Sequence, residues 1–162
     1  MRPAGAADIP EVLAMLRALG NLQGPWRLFR PRAALQAETA DRYRRAVATP
    51  GGDALLLVAE SDGLIVGTAF GQVAEPSSLS DEVAVELSGV FVRPSHRGRR
   101  VGAALTREVA RFARRRGIDV VVLKTFAEND GALRFWERVG FRARAVQMVA
   151  SAERLASASE SS

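Results

Sequence analysis

The chain has no cysteine, which excludes disulfides and thiolate metal sites. Its single histidine, His96, argues against a zinc site or a histidine-based catalytic triad, so no metal is expected. Long apolar runs are also missing. None approaches the roughly 20 residues of a membrane span, and the opening MRPAGAADIPEV lacks the apolar core of a signal peptide. A cytoplasmic protein without a membrane partner is the expectation. Lysine is nearly absent: of 23 basic residues only Lys124 is one. So complete a replacement by arginine, in a chain rich in alanine and glycine, reads as biased composition rather than as a polyanion partner, despite a formal charge of +5.

What is present is an ordinary globular balance, with 48% apolar and 25% charged residues. The length of 162 residues fits one domain over 1–150, followed by a Ser/Ala-rich tail over 151–162 that should fray. Asp8 is placed to cap a helix from Ile9 to Leu19, and a second helix fits Arg32 to Ala48, ahead of Pro50 and Gly51. ALLLVAE, the turn Ser61-Asp62-Gly63 and LIVGTAFGQV form a hairpin signal. Glu82 to Val92 alternates as a third strand. Val101, Leu105, Val109 and Phe112 mark one stripe of a helix ending at Gly117. DVVVLKTF reads as a strand buried on both faces. A short helix, ALRFWERV, and a last strand, FRARAVQMVA, follow. The order describes a mixed α/β sheet covered by helices.

The arginines cluster. Nine lie between Arg93 and Arg116, and the stretch RPSHRGRRVG separates a strand from a helix start. Gly98 and Gly102 allow close backbone approach there, and the N–H groups up to Ala103 lie at the positive end of a helix dipole. Such a nest suits a pyrophosphate, although any exposed strand-turn-helix with two glycines looks similar.

Together with the preceding VELSGVFVRP and the later ENDGALRFWERVGF, this loop resembles the GNAT superfamily of N-acetyltransferases over about Leu55 to Val149. The family's loop has Gln or Arg, two residues, Gly, one residue, then Gly or Ala. Here that pattern falls on Arg97, Gly98, Arg99, Arg100, Val101 and Gly102, with Arg100 in place of the first glycine. The departure is harmless if Arg100 has helical backbone and an outward side chain. A second signature falls on Asn129, Ala132, Phe135, Trp136, Gly140 and Phe141.

The resemblance implies a GNAT-type α/β fold: a mixed, largely antiparallel sheet of about six strands with a splayed central pair, flanked by about four helices. It implies acetyl-CoA as co-substrate, with the pantetheine arm against the main chain of Val90, Phe91 and Val92, and the pyrophosphate on Arg97 to Ala103. The N–H at or near Val92 would polarise the thioester carbonyl. Asn129 would position the cofactor, and it also fits a helix N-cap. Ala132, Phe135 and Trp136 would flank the cofactor, Trp136 packing beside the pantetheine. Glu86, on an alternating strand that puts it on one face with Ser88, Val90 and Val92, is the candidate base; an exposed strand carboxylate is the plain alternative, and Glu82 and Glu75 are less favoured. The family's usual tyrosine acid is replaced by Trp136, whose indole cannot give up a proton. Tyr43, the only tyrosine, has no motif placing it at the sulfur.

The acceptor is then a small-molecule or protein amine. Trp26 and Phe29 are candidates to wall its pocket or to plug the core, and the loop EPSSLSDE borders it. Arg107, Arg111, Arg114, Arg115 and Arg116 read as a solvated helix face. A non-catalytic acyl-CoA-binding module is the competing reading. Nucleic acid is disfavoured, because the arginine-rich helix lacks interleaved aromatics. With little chain before the first helix and room for one strand after the last, a homodimer that completes the sheet is open.

Overall fold

The computed structural model describes residues 1–26, 33–76 and 82–158. Its organising turn is Asp62-Gly63, where both residues have positive φ (52° and 75°). That is the backbone of a type I′ hairpin, whose twist matches the strands it joins. It connects β2 (Ala54–Ser61) to β3 (Leu64–Ala74), in antiparallel register from Ser61↔Leu64 to Ala54↔Gln72. On the outer side of β2 lies β1 (Arg2–Pro3), a two-residue strand pairing Arg2 with Val58. Beyond β3 come β4 (Ala84–Val92), antiparallel, and β5 (Val121–Val122), parallel, in the order β1-β2-β3-β4-β5.

Among the described residues the sheet therefore has five strands rather than about six. The segment expected as a last strand, 141–150, is irregular and exposed from 142 onward, with Met148 at 90%. A strand needs an edge to pair with, and β5 offers only two residues. The run DVVVLKTF is likewise not buried on both faces: it contributes those two residues alone, and Val122 is exposed. The third strand starts at Ala84, which leaves Glu82 outside it. The tail forms a short helix, α5 (Ala152–Ala158), instead of fraying from 151.

Four longer helices cover the two faces. α1 (Ile9–Leu22) and α2 (Ala33–Ala48) lie on one, where Ile9, Val12 and Tyr43 meet Leu56, Val58 and Phe70. α3 (Val101–Arg115) and α4 (Asp130–Arg138) lie on the other, where Leu105, Val109 and Phe112 meet Leu57, Ala69, Val85 and Leu87. Asp8 sits at the start of α1 but makes no side-chain cap to it. Its carboxylate instead accepts from the Gly5 N–H at 2.7 Å and from Arg2 at 2.6 Å, tying β1 to the helix. No described helix is long and apolar enough to cross a membrane.

Candidate active site

β4 changes neighbours and faces along its length. Its first half pairs with β5 only at Val85↔Val121 and Glu86↔Val122, and beyond Glu86 that ladder stops. On the β3 side the register breaks: Thr68 pairs with Phe91 and Phe70 with Ser88, so Gly89 and Val90 face Ala69 as a bulge. Gly89 adopts φ 59°, which favours glycine.

The extra residue flips the alternation. Val85, Leu87 and Val90 pack in the core under α3, whereas Ser88 sits opposite Phe70, whose ring belongs to the α1/α2 side. The face expected to be shared by Glu86, Ser88, Val90 and Val92 is therefore split. Glu86, opposite Gln72, lies with Ser88 toward α1 and α2. Val92 turns to α3, with its Cγ2 3.7 Å from where a Cβ on Gly102 would stand. An isolated glycine inside a strand pattern was the available signal of this bulge.

After Val92 the chain makes a 3-10 turn over Pro94–His96 and reaches α3 through an exposed loop. Gly98 has φ 75°, with open space where a Cβ would be. Arg100 is left-handed (φ 61°, ψ 10°), not helical as its tolerance seemed to require, so it holds the backbone conformation that a glycine supplies without strain. The first helical bond runs from the Ala104 N–H to the Arg100 carbonyl at 3.0 Å. The N–H groups of Val101, Gly102 and Ala103 thus have no partner within the helix and lie at its positive end. Arg97 donates to the Val92 carbonyl at 3.1 Å and lies over the Phe91 ring, 5.9 Å from its centroid. Ser95 and His96 bond each other at 2.9 Å. Arg116 is not part of a solvated face: it donates to the Gly51 carbonyl at 2.8 Å, donates to that of Gly52, and stacks 3.8 Å over Phe112. Arg93, passed over in the sequence, ties the exit of β4 to Ile65 (2.8 Å) and to Glu11 of α1.

The second signature folds beside the first. The Asn129 side chain accepts from the Ala132 N–H at 3.1 Å and caps α4. Gly102 leaves space for Phe135, whose Cζ is 3.0 Å from the missing Cβ. Trp136 is partly buried against the core, in edge contact with Phe135 (4.7 Å) and Phe141 (5.5 Å).

Tyr43 closes the site from α2. Its ring stacks on Phe70 at 4.5 Å and its hydroxyl meets the Gly89 bulge. Burial pushes its phenol up to about 12, against the opposing influence of the Arg42 charge and the Ser88 hydroxyl. Glu75 and Glu82 are exposed. Phe29, the side chain of Trp26 and the loop 77–81 lie outside the described residues. On the α1 side, a cleft of about 540 Å³ is bordered by Ala14, Met15, Ala18, Leu22, Phe91 and Pro94.

Comparison with known proteins adds the following. The model of the acetyltransferase (GNAT) family matches residues 21–141. The probable N-acetyltransferase family 8 member 5 of Mus musculus is 35% identical over 108 residues, 67% of this chain and 46% of its own. A mycothiol acetyltransferase of Cellulomonas flavigena is 31% identical over 158 residues, 91% of this chain and 45% of its own. The chain thus spans about half the length of the curated relatives it matches. Among solved structures, a predicted acetyltransferase with acetyl-CoA from Clostridium acetobutylicum superposes with TM-score 0.71 at 15% identity, over 94% of this chain and 96% of its own.

Proposed function

The chain belongs to the acetyltransferase (GNAT) family, and from that premise we propose that it transfers acetyl from acetyl-CoA to a primary amine by direct attack within a ternary complex. The observation that carries this reading is one juxtaposition: the half of β4 without a β5 partner leads, through the turn and loop 93–100, to the unpaired N-terminus of α3. An extended arm carrying amides fits along the first, and a pyrophosphate fits the second.

In this reading the main chain of Val90 to Val92 pairs with the pantetheine, and an N–H in that stretch stabilises the oxyanion of the tetrahedral intermediate. The backbone of Arg97 to Ala103 holds the pyrophosphate, with Arg99 and Arg100 free to meet its charge. Phe135 and Asn129 support the cofactor from α4. An ammonium with a pKa near 10 must lose a proton before it attacks, and Glu86 is the base. It takes that proton directly or through one water, depending on where along the strand the amine sits. The thiolate, with a pKa of about 8.5, leaves unaided and takes its proton from solvent. The acceptor approaches from the α1 side, where Glu86 and Ser88 lie.

The test is release of free coenzyme A thiol from acetyl-CoA across a panel of small amines and peptides. Glu86→Gln is expected to lower turnover at least about 100-fold on an established acceptor with cofactor affinity intact. Tight acetyl-CoA binding with no thiol release on any amine would favour a non-catalytic acyl-CoA-binding module instead.

A further inference from the structure

Tyr43 reaches from α2 over the α1/α2 face of the sheet, past Phe70 to β4, and the residue is only 2% exposed. A Cβ on Gly89 would stand 2.4 Å from its hydroxyl oxygen, 3.2 Å from Leu16 Cδ2 and 3.6 Å from the ring carbon that bears the hydroxyl, so the hydroxyl is the nearest occupant of that space. Ser88, the residue before the bulge, also faces the phenol, and its hydroxyl favours the ionised form against the effect of burial. A phenylalanine would stack on Phe70 equally well without burying a polar group, which costs free energy unless it is bonded. The polar atom is therefore kept at the one point where β4 leaves its regular register.

We propose that Tyr43 is a positioning residue for acyl transfer: its hydroxyl pegs the Gly89 bulge and so fixes how the main chain of Val90 to Val92 faces the gap between β4 and β5. The proposal rests on the acetyl-CoA reading of that gap. A bulge sets where each following peptide group points, and a misplacement of about 1 Å at a reacting centre costs about 100-fold in rate. Tyr43 is buried away from the reactants, and its neutral phenol stays protonated up to about pH 12. It acts through Gly89 and gives up no proton.

Tyr43→Phe removes the peg and keeps the ring. Turnover should fall about 10- to 100-fold, a larger change than any loss of affinity for coenzyme A, with the shape of the kcat–pH profile unchanged. Gly89→Ala drives a methyl into the hydroxyl and should lower the thermal midpoint; adding Tyr43→Phe should restore part of it, because the next atom, Leu16 Cδ2, is 3.2 Å away at the end of a flexible side chain. A readout without turnover is the ¹⁵N–H resonance of Val90. It should differ between bound acetyl-CoA and bound coenzyme A in the wild type, and differ less in Tyr43→Phe. If the wild type binds neither ligand, the acetyl-CoA reading fails and takes the proposal with it. If it binds and turns over while Tyr43→Phe keeps both its kcat and the Val90 difference, the positioning role alone is overturned. An altered alkaline limb in Tyr43→Phe would also overturn it, by making the phenol a proton donor.

Discussion

Arg100→Gly separates two demands made on a single residue. The left-handed backbone at Arg100 (φ 61°) costs a non-glycine residue about 1–2 kcal/mol. Glycine removes that strain but has more freedom to lose on folding, about 0.5–1 kcal/mol. The net expectation is a gain of about 0.5–1 kcal/mol, or a rise of about 1–4 °C in thermal midpoint for a chain of this size. The same change deletes a cation beside the proposed pyrophosphate. A unit charge at 4 Å is worth about 1 kcal/mol in water, so affinity for coenzyme A should weaken about 5-fold. Arg100→Ala is the control, losing the charge while keeping the strain. Differential scanning calorimetry without ligand and titration calorimetry with coenzyme A read the two effects separately. An unliganded Arg100→Gly no more stable than Arg100→Ala would refute the strain argument. Unchanged affinity in both variants would remove Arg100 from the phosphate site.

Further outcomes follow from the same geometry. Gly102→Val should overpack against Phe135 at a cost of about 1–3 kcal/mol; Phe135→Leu in the same chain should recover most of the thermal midpoint, and failure to do so would place the crowding elsewhere. Hydrogen bonds from Arg2 hold the Asp8 carboxyl below its usual range. The unfolded chain therefore binds the proton first as pH falls. The stabilisation is complete above about pH 4 and is lost as pH drops through the lowered folded value. Asp8→Asn should cost about 1 kcal/mol at pH 7 and flatten the acid limb of urea midpoints measured from pH 5 to 2; parallel curves would count against the Arg2 pairing. The loss caused by Glu86→Gln should shrink at high pH, where more of the amine arrives neutral, and an unchanged ratio would argue against a base.

The elements that read clearly in the sequence are those fixed by neighbours. Asp62 and Gly63 specify their hairpin through local φ preferences, and the stripe Leu105, Val109, Phe112 names the buried face of α3 because helical period alone decides it. Asn129 was legible as a cap for the same reason. The misread parts depend on distant partners. An apolar run such as DVVVLKTF carries strand propensity, but its pairing is set by how far β4 will accompany it. The bulge inverted the faces of Val90 and Val92 relative to Glu86, which strict alternation could not foresee. Tyr43 carried no local mark of this packing, since the glycine its hydroxyl lies against, Gly89, is far along the chain. Arg116 looked like its neighbours until the carbonyls of Gly51 and Gly52 came to it.

The end of the β4–β5 ladder at Glu86 has a consequence for what can occupy the space beyond it. β4 is a central strand over its first residues and an edge strand over its last, although it lies inside the sheet order. An edge presents a row of alternating donors and acceptors, and a visitor that dries them without replacing them forfeits about 1–3 kcal/mol for each. A plain hydrocarbon tail is therefore a poor occupant, while a slender chain with amides at peptide-like spacing is a good one. In the acetyl-CoA reading proposed above, selection at this slot would fall to the backbone of Leu87 to Val92, so side-chain replacements there that preserve the strand should leave the preference for an amide-bearing arm in place.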